Sequence, residues 1–340
     1  MGGIWFEPET LGDSLSETAG YKSGLALSIE EMADLLTESG RADLLLASET
    51  RTVRLRAEDY DELFYELLHK IGFTEERFNG DITGIGLSHK YRGTELEAVH
   101  HGVMELFVDI WPEVMKETQA RGDKLLNPEK FMRAAAEKYG KPGLDIAYER
   151  LMAMNKGLTL SPHSGQRYTE WRNVEPLEAL FKGGPAKPEV GTFIDQRYIN
   201  FLFANQNRLH DMHWRKFEEL TAEYFKREGF NVELGPGSND DGIDVRVWTP
   251  TQDMASDPPH MIIQCKRQKD KVEKVVVKGL YADVQFQNAE CGLIVTTSEL
   301  SPGAKKVISI RGYPIEEINN AGLRKWLTAL QVPGSGIVRV

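Results

Sequence analysis

The stretch 235–266 constrains the fold of this chain more than any other. It opens with Gly-Pro-Gly-Ser-Asn-Asp-Asp-Gly-Ile-Asp-Val (235–245) and closes with Ile-Ile-Gln-Cys-Lys (262–266). A glycine-rich turn leads into one β-branched run. A polar loop over 249–260, too long for a tight turn, separates it from a second apolar run. Period-two alternation along the first run puts Asp244, Arg246 and Trp248 on one face and Ile243, Val245 and Val247 on the other. The same rule puts Gln264 and Lys266 on one face of the second run, with Ile263 and Cys265 opposite. If the two strands pair, Asp244, Gln264 and Lys266 meet at one point. A carboxylate and a carboxamide beside a fixed ammonium make a hard-cation site with a neighbouring positive charge, the equipment of metal-assisted phosphodiester hydrolysis. An ordinary polar face of an edge strand accounts for each of the three residues singly, and less well for all of them together.

The surrounding pattern places these strands in a larger unit. Residues 213–227 form an amphipathic helix on which Trp214, Phe217, Thr221, Tyr224 and Phe225 share a face at 100° per residue. Glu218 falls within that face, whereas Glu219 and Glu223 point away. A buried carboxylate is costly without a partner, so Glu218 is either at the edge of the stripe or aimed at a cation. Short strands at 229–234, 291–296 and 313–316 and helices at about 271–287, 301–310 and 319–329 complete the order α-β-β-β-α-β-α-β-α. That order predicts a mixed sheet flanked by helices on both faces.

Charge separates the two halves of the chain. The whole chain of 340 residues carries a net charge of −11. Residues 211–340 hold 17 Lys and Arg against 18 Asp and Glu, and residues 1–210 hold 24 against 34. An acidic N-terminal region is a poor surface for a phosphate backbone, whereas the near-neutral C-terminal region can offer a local basic patch. Such a patch begins beside the proposed site with Arg267, Lys269, Lys271, Lys274 and Lys278, interrupted by Asp270 and Glu273; a solvated helix face is the usual meaning of a run like this. No apolar run approaches the roughly 20 residues needed to cross a membrane. The N-terminus lacks the basic start and apolar centre of a signal peptide, and Cys265 and Cys291 sit in apolar runs as reduced thiols would. The expected location is cytoplasmic.

Residues 1–25 show no clear periodicity and are expected to be loosely ordered. Ser28-Ile-Glu-Glu31 reads as a capping box opening a helix that stops at Gly40. A short strand is predicted at 51–56 and a helix at 57–71, followed by a glycine-rich loop over 78–92. Long helices are expected at 94–119, with Pro112 kinking or dividing it, then at 127–139 and 143–155. The expected organisation is a mostly α-helical domain over 1–156, an irregular connector over 157–192 with one helix near 175–182, and an α/β domain over 193–340. Three N-terminal features invite a functional reading. His101, Glu105 and Asp109 form an i, i+4, i+8 ladder near His100; a polar helix face explains it better than a metal site. Residues 80–86 do not match a P-loop. Residues 161–167 read as a surface turn before they read as an anion site.

Taken together, Trp214-Arg-Lys-Phe-Glu-Glu-Leu, Gly229-Phe, Asp240-Asp-Gly-Ile-Asp244-Val, Gln264-Cys-Lys266, Val295-Thr-Thr-Ser and Ser301-Pro-Gly-Ala304 resemble the Mrr-like endonuclease domain of the PD-(D/E)xK nuclease superfamily. The resemblance covers about 205–330, with no family evident for the first 190 residues. It implies a restriction-endonuclease-like fold in which Asp244 binds the metal, Gln264 and Lys266 form a QxK motif, and Glu218 completes the site. It also implies that the Cys265 backbone carbonyl is a ligand and that Asp240 is an additional acidic position. Asp241 stands where the family commonly has glycine, and the 249–260 loop is long; neither departure removes a catalytic group. The activity implied is DNA cleavage with Mg²⁺, or Mn²⁺ in its place, by a homo-oligomeric restriction or phage-defence effector. The basic side chains Arg267, Lys269, Lys271 and Lys274 would contact the DNA. A non-catalytic DNA-recognition module and an RNase or Holliday-junction resolvase are the competing readings.

Overall fold

The computed structural model describes residues 3–78, 80, 85–122, 126–167, 173–183, 188, 191–237 and 242–332. The chain begins with β1 (Gly3–Phe6), α1 (Thr10–Ser23), β2 (Leu25–Ala26), α2 (Ile29–Leu35), α3 (Ala42–Ser48), β3 (Val53–Arg56) and α4 (Ala57–Lys70). Three helices follow, α5 (Ile85–Tyr91), α6 (Glu97–Arg121) and α7 (Glu129–Leu160), and then β4 (Glu175–Pro176), α8 (Glu178–Lys182) and α9 (Gln196–Ala204). The C-terminal region holds α10 (Trp214–Arg227), β5 (Asn231–Leu234), β6 (Val245–Trp248), β7 (Met261–Lys266) and α11 (Lys274–Phe286). It closes with β8 (Cys291–Thr296), α12 (Pro302–Arg311), β9 (Ile315–Ile318) and α13 (Asn320–Leu330).

The mixed sheet runs β5-β6-β7-β8-β9. β5, β6 and β7 are antiparallel neighbours, whereas β7, β8 and β9 are parallel and joined by the crossover helices α11 and α12. Val245, Val247, Ile263, Leu293 and Val295 point from one face into a core shared with α10 and α13. Ile262, Ile294 and Ile315 point from the other face to Val277, Leu280, Val284 and Ala304 of α11 and α12. The expected order of strands and helices is thus realised, with both faces covered, as a partly parallel sheet requires.

The first of these cores continues into the N-terminal region. Leu11 and Leu15 of α1, Phe64 and Leu67 of α4, and Tyr198 and Phe201 of α9 belong to it, together with Leu177 and Leu180 from the connector. A separate core of Tyr91, Val103, Trp111, Val114, Phe131, Ala135, Ile146 and Ala147 holds α5, α6 and α7 together. No helix among the described residues is long and apolar enough to cross a membrane.

Several local expectations hold. The capping box at Ser28 is formed, with Glu31 N–H donating to Ser28 Oγ at 3.2 Å and Ser28 N–H donating to Glu31 Oε2 at 2.8 Å. Gly40 ends that segment in the left-handed region at φ 71°. The two helices expected between 127 and 155 are joined end to end in α7, where Gly140 (φ 63°, ψ −151°) interrupts the helical backbone. The division expected at Pro112 does not occur, since α6 continues through it as one helix.

Other expectations are corrected. Within the stretch 1–25, the described residues 3–25 are not loosely ordered: β1 pairs antiparallel with β3, and Leu11, Leu15 and Ala19 are fully buried on α1. Their i, i+4, i+8 spacing is a single narrow stripe, easily lost among the Gly, Ser and Glu residues around it. The 78–92 segment contains the helix α5. Ile243 does not share a face with Val245, since it packs in the opposite core. The Asp244 N–H donates to the Ile263 carbonyl, while the Asp244 carbonyl accepts from Gly235 N–H. One residue thereby turns its two peptide groups to opposite neighbours, a bulge-like irregularity that breaks the alternation. Glu223 does not face solvent either; it pairs with Arg227 at 2.7 Å and accepts from the N–H groups of Thr192 and Phe193 at 2.8 Å. The segment entering α9 covers the side of α10 that periodicity alone leaves open.

The burial of α1 has a measurable consequence. Truncating Leu15 to alanine leaves a cavity in the largest core, and the expected loss is about 2–5 kcal/mol of stability. Guanidinium denaturation followed by circular dichroism measures it; an unchanged midpoint for Leu15→Ala would show that α1 contributes nothing to the fold.

Candidate active site

Helix α10 delivers the first functional side chain. His213 caps it, its Nδ1 accepting from Arg215 N–H at 3.2 Å. Phe217, Leu220, Thr221 and Phe225 are buried, and the apolar face they make carries Glu218 in with them, only 6% exposed. Arg215 is the cation that Glu218 meets, Nη1 to Oε2 at 2.9 Å. The same Nη1 donates to the Gly235 carbonyl at 2.8 Å, so one guanidinium ties the helix to the start of the glycine-rich turn. Burial, and next the Asp244 carboxylate beside it, push the Glu218 pKa up to about 8, against the opposing pull of Arg215. A shared hydrogen bond with Asp244 acts in the same direction as burial, which places the two carboxyl groups in contact.

β6 and β7 deliver the rest. Asp244 lies just before β6 and is 8% exposed. Its Oδ2 accepts from the Cys265 N–H at 2.6 Å. Along a strand the N–H and C=O of one residue point to the same edge, so the Cys265 carbonyl also faces the Asp244 side. The Cys265 side chain turns the other way, into the α10 core, where its thiol contacts Thr221 Oγ1 at 3.5 Å and burial holds its pKa well above the ordinary value. Gln264 and Lys266 lie on the face opposite Ile263 and Cys265. Gln264 Oε1 is enclosed, with no hydrogen-bond partner among the described residues. Gly242, left-handed at φ 84°, passes so close that a Cβ there would lie 3.1 Å from Gln264 Nε2. Lys266 is held by its backbone, the carbonyl accepting from Thr296 Oγ1 at 2.7 Å and from Thr297 N–H at 3.3 Å. Its ammonium makes no hydrogen bond or ion pair among the described residues.

The sequence-predicted residues Glu218, Asp244, Gln264 and Lys266 thus converge at one end of the sheet, with the Cys265 peptide between them. Asp240 lies outside the described residues. Arg215 is a functional residue that sequence reasoning misses, since its only signal is the i, i+3 spacing to Glu218. Among the described residues no cluster of three or more His, Cys, Asp or Glu side chains is placed to hold a metal. The donor set here is two carboxyl groups, a peptide carbonyl and a carboxamide oxygen. That all-oxygen set suits a hard cation such as Mg²⁺ or Mn²⁺. The enclosed, unsatisfied Gln264 oxygen and the two abutting carboxyl groups are what such an ion would relieve.

The basic run flanks this cluster. Arg267 is exposed and donates to the His210 carbonyl at 2.9 Å, and Lys269 and Lys274 are exposed. Lys271 is exposed but pairs with Glu299 at 2.7 Å. The other tempting features resolve as ordinary structure. His101, Glu105 and Asp109 lie exposed along α6. Most of 80–86 falls outside the described residues. The 161–167 turn aims carbonyls inward: Ser164 and Gln166 accept from the ammonium of Lys22, which burial brings to a pKa of about 8. It is a cradle for a cation of the chain itself.

The five-stranded mixed sheet, covered by helices on both faces, is consistent with a restriction-endonuclease-like fold. More narrowly, residues 209–327 match the family model of the Mrr catalytic domain, described as a restriction endonuclease. Among solved structures, the MspJI restriction endonuclease in complex with a 27-mer oligonucleotide is 18% identical, over 58% of this chain and 42% of its own, with a TM-score of 0.29. The chain therefore spans less than half the length of that protein. No curated protein matches it.

The raised Glu218 pKa predicts a pH dependence. Its folded value lies above the ordinary carboxyl value of 4.5, so the native state keeps a proton that the unfolded chain has already released. Without metal, stability should fall as pH rises from about 4.5 to about 8 and level off above. Glu218→Gln should remove the component of the fall that belongs to this site. Denaturant midpoints across that window in EDTA test this; identical slopes for the two proteins would contradict it.

Proposed function

We propose that this chain is a Mg²⁺-dependent endodeoxyribonuclease that hydrolyses DNA phosphodiester bonds, with Mn²⁺ an effective substitute. The observation that carries the reading is the contact of Glu218 with Asp244, the Asp244–Cys265 hydrogen bond and the unsatisfied Gln264 oxygen, with Lys266 two residues further along the same face of β7. The restriction-endonuclease description of the matched family supports DNA as the substrate.

In this reading Asp244, the Cys265 carbonyl and Glu218 hold the ion, and Gln264 is a neutral ligand or orients a ligand water. When bound, the ion supplies Lewis-acid polarisation of the phosphoryl oxygen and neutralises developing charge. Lys266 would position the attacking water and, as an ammonium, donate to a non-bridging oxygen as charge builds there. Arg215 keeps the Glu218 carboxyl and the glycine-rich turn in register. Asp240 adds negative charge at the turn. Arg267, Lys269, Lys271 and Lys274 contact phosphates on either side and set the duplex over the site.

The nuclease unit comprises residues 193–340, preceded by the helical region over 1–156 and the connector over 157–192. The acidic N-terminal region repels DNA and suits a gating role, as in a cytoplasmic effector of restriction or phage defence. One site cuts one strand, so a double-strand break is met most simply by a symmetric dimer.

Cleavage of supercoiled plasmid in Mg²⁺ tests the assignment. Asp244→Ala and Lys266→Ala are each expected to lower the rate by about 10²–10³ or more, a scale typical of losing one charge-stabilising group. EDTA should abolish cleavage and added Mg²⁺ restore it. Either variant cutting at the wild-type rate would overturn the reading.

A further inference from the structure

One large aromatic side chain at the mouth of the site has no role in the scheme above. Trp214 begins α10, four residues before Glu218 on the same helix face, roughly 6 Å further along the helix axis. Its indole is 43% exposed, in a helix whose other apolar residues on that face are largely buried. It is also well fixed. The His213 ring lies 5.2 Å away at 38°. Gly237, left-handed at φ 81°, comes close enough that a Cβ there would sit 3.3 Å from Trp214 Cη2 and 3.0 Å from Arg215 Nη1. Arg215 in turn pins the turn through the Gly235 carbonyl. Gly237 therefore bounds the indole on one side, and the ring remains 43% exposed.

Arg267 is a cation whose field reaches this end of α10, whereas Arg215 and Lys216 are paired with Glu218 and Glu219. Arg267 reaches past Lys266 to the His210 carbonyl, and its field, after burial, contributes to holding the His213 imidazole below its ordinary pKa. An exposed aromatic ring with a cation nearby, next to a phosphodiester site, is the arrangement that binds unpaired nucleotides, with the base on the ring and the phosphate on the cation. Fully paired DNA keeps its base faces stacked and offers nothing to such a platform.

We propose that Trp214 is a stacking subsite for an unpaired DNA base next to the scissile phosphate, with Arg267 taking the adjoining phosphate. This inference rests on the nuclease reading above and specifies its substrate as DNA with an unstacked nucleotide at the cleavage position.

The test measures binding, by anisotropy of labelled oligonucleotides, in the full chain carrying Asp244→Ala so that nothing is cut. A duplex with one unpaired base is compared with the fully paired duplex. Trp214→Leu, which keeps apolar bulk but has no π face, should weaken binding to the first about tenfold or more and leave the second unchanged. Trp214→Phe should retain most of the affinity. Indole emission quenched by the unpaired-base duplex should lose that quenching in Trp214→Phe. Equal affinities for Trp214→Leu and its parent on both DNAs, or an equal loss on both, would overturn the subsite while leaving the nuclease reading intact. A parent that binds neither DNA would overturn both.

Discussion

The site depends on one hydrogen bond at the end of the sheet. Past the last ladder pair between β6 and β7, the Cys265 N–H meets the Asp244 carboxylate at 2.6 Å in place of a strand carbonyl. A buried peptide N–H must be satisfied, and here a side chain does so because Asp244 turns its own peptide groups to opposite neighbours. The irregularity thus does two things at once. It ends the antiparallel pairing, and it fixes a carboxylate beside a peptide carbonyl with no solvent between them and the core. Gln264 and Lys266 fall next to it by the alternation of β7, and Glu218 by the periodicity of α10.

The same arrangement explains why the site is electrostatically strained. Two carboxyl groups are driven together by elements that are each well packed, and burial denies them water. Without a cation, Glu218 responds by retaining a proton. Arg215 compensates in part, but it is also committed to the Gly235 carbonyl and cannot give its whole charge to Glu218. Core packing holds the carboxyl groups in contact, so the repulsion persists in the folded protein, and a bound cation would relieve it. The unsatisfied Gln264 oxygen belongs to the same pattern.

What can be read from the sequence follows from how local the signal is. The capping box at Ser28, the buried stripe of Phe217, Thr221 and Phe225 on α10 and the order of strands in the sheet are set by residues a few positions apart, and these appear as expected. The convergence of Asp244, Gln264 and Lys266 is legible because pairing two adjacent strands needs little long-range information. Residues that depend on a distant partner are the ones that mislead. α1 reads as loosely ordered because its narrow stripe has meaning only against α4 and the sheet-side core. Glu223 reads as solvated because its partners include the backbone of Thr192 and Phe193, some thirty residues away. Arg215 has no motif of its own; its role exists only once Gly235 is folded back against α10.

These long-range links bear on how the two halves of the chain work together. Arg197 and Asp195 form a buried pair, and Arg197 also donates to the carbonyls of Gly24 and Asn173. Gln196 reaches the Leu330 carbonyl at the end of α13, and Arg227 of α10 reaches the same oxygen. Buried charges of this kind lose much when one partner is removed and gain little over an apolar replacement, so they enforce geometry more than they add stability. Their geometry here runs from α1 through α9 to α10 and α13, and α10 carries both Glu218 and Trp214. Any shift of the N-terminal helices would act first on the helix that positions the buried carboxyl group and the exposed ring. An acidic N-terminal region could therefore influence the site without reaching it, through the packing of α10 alone.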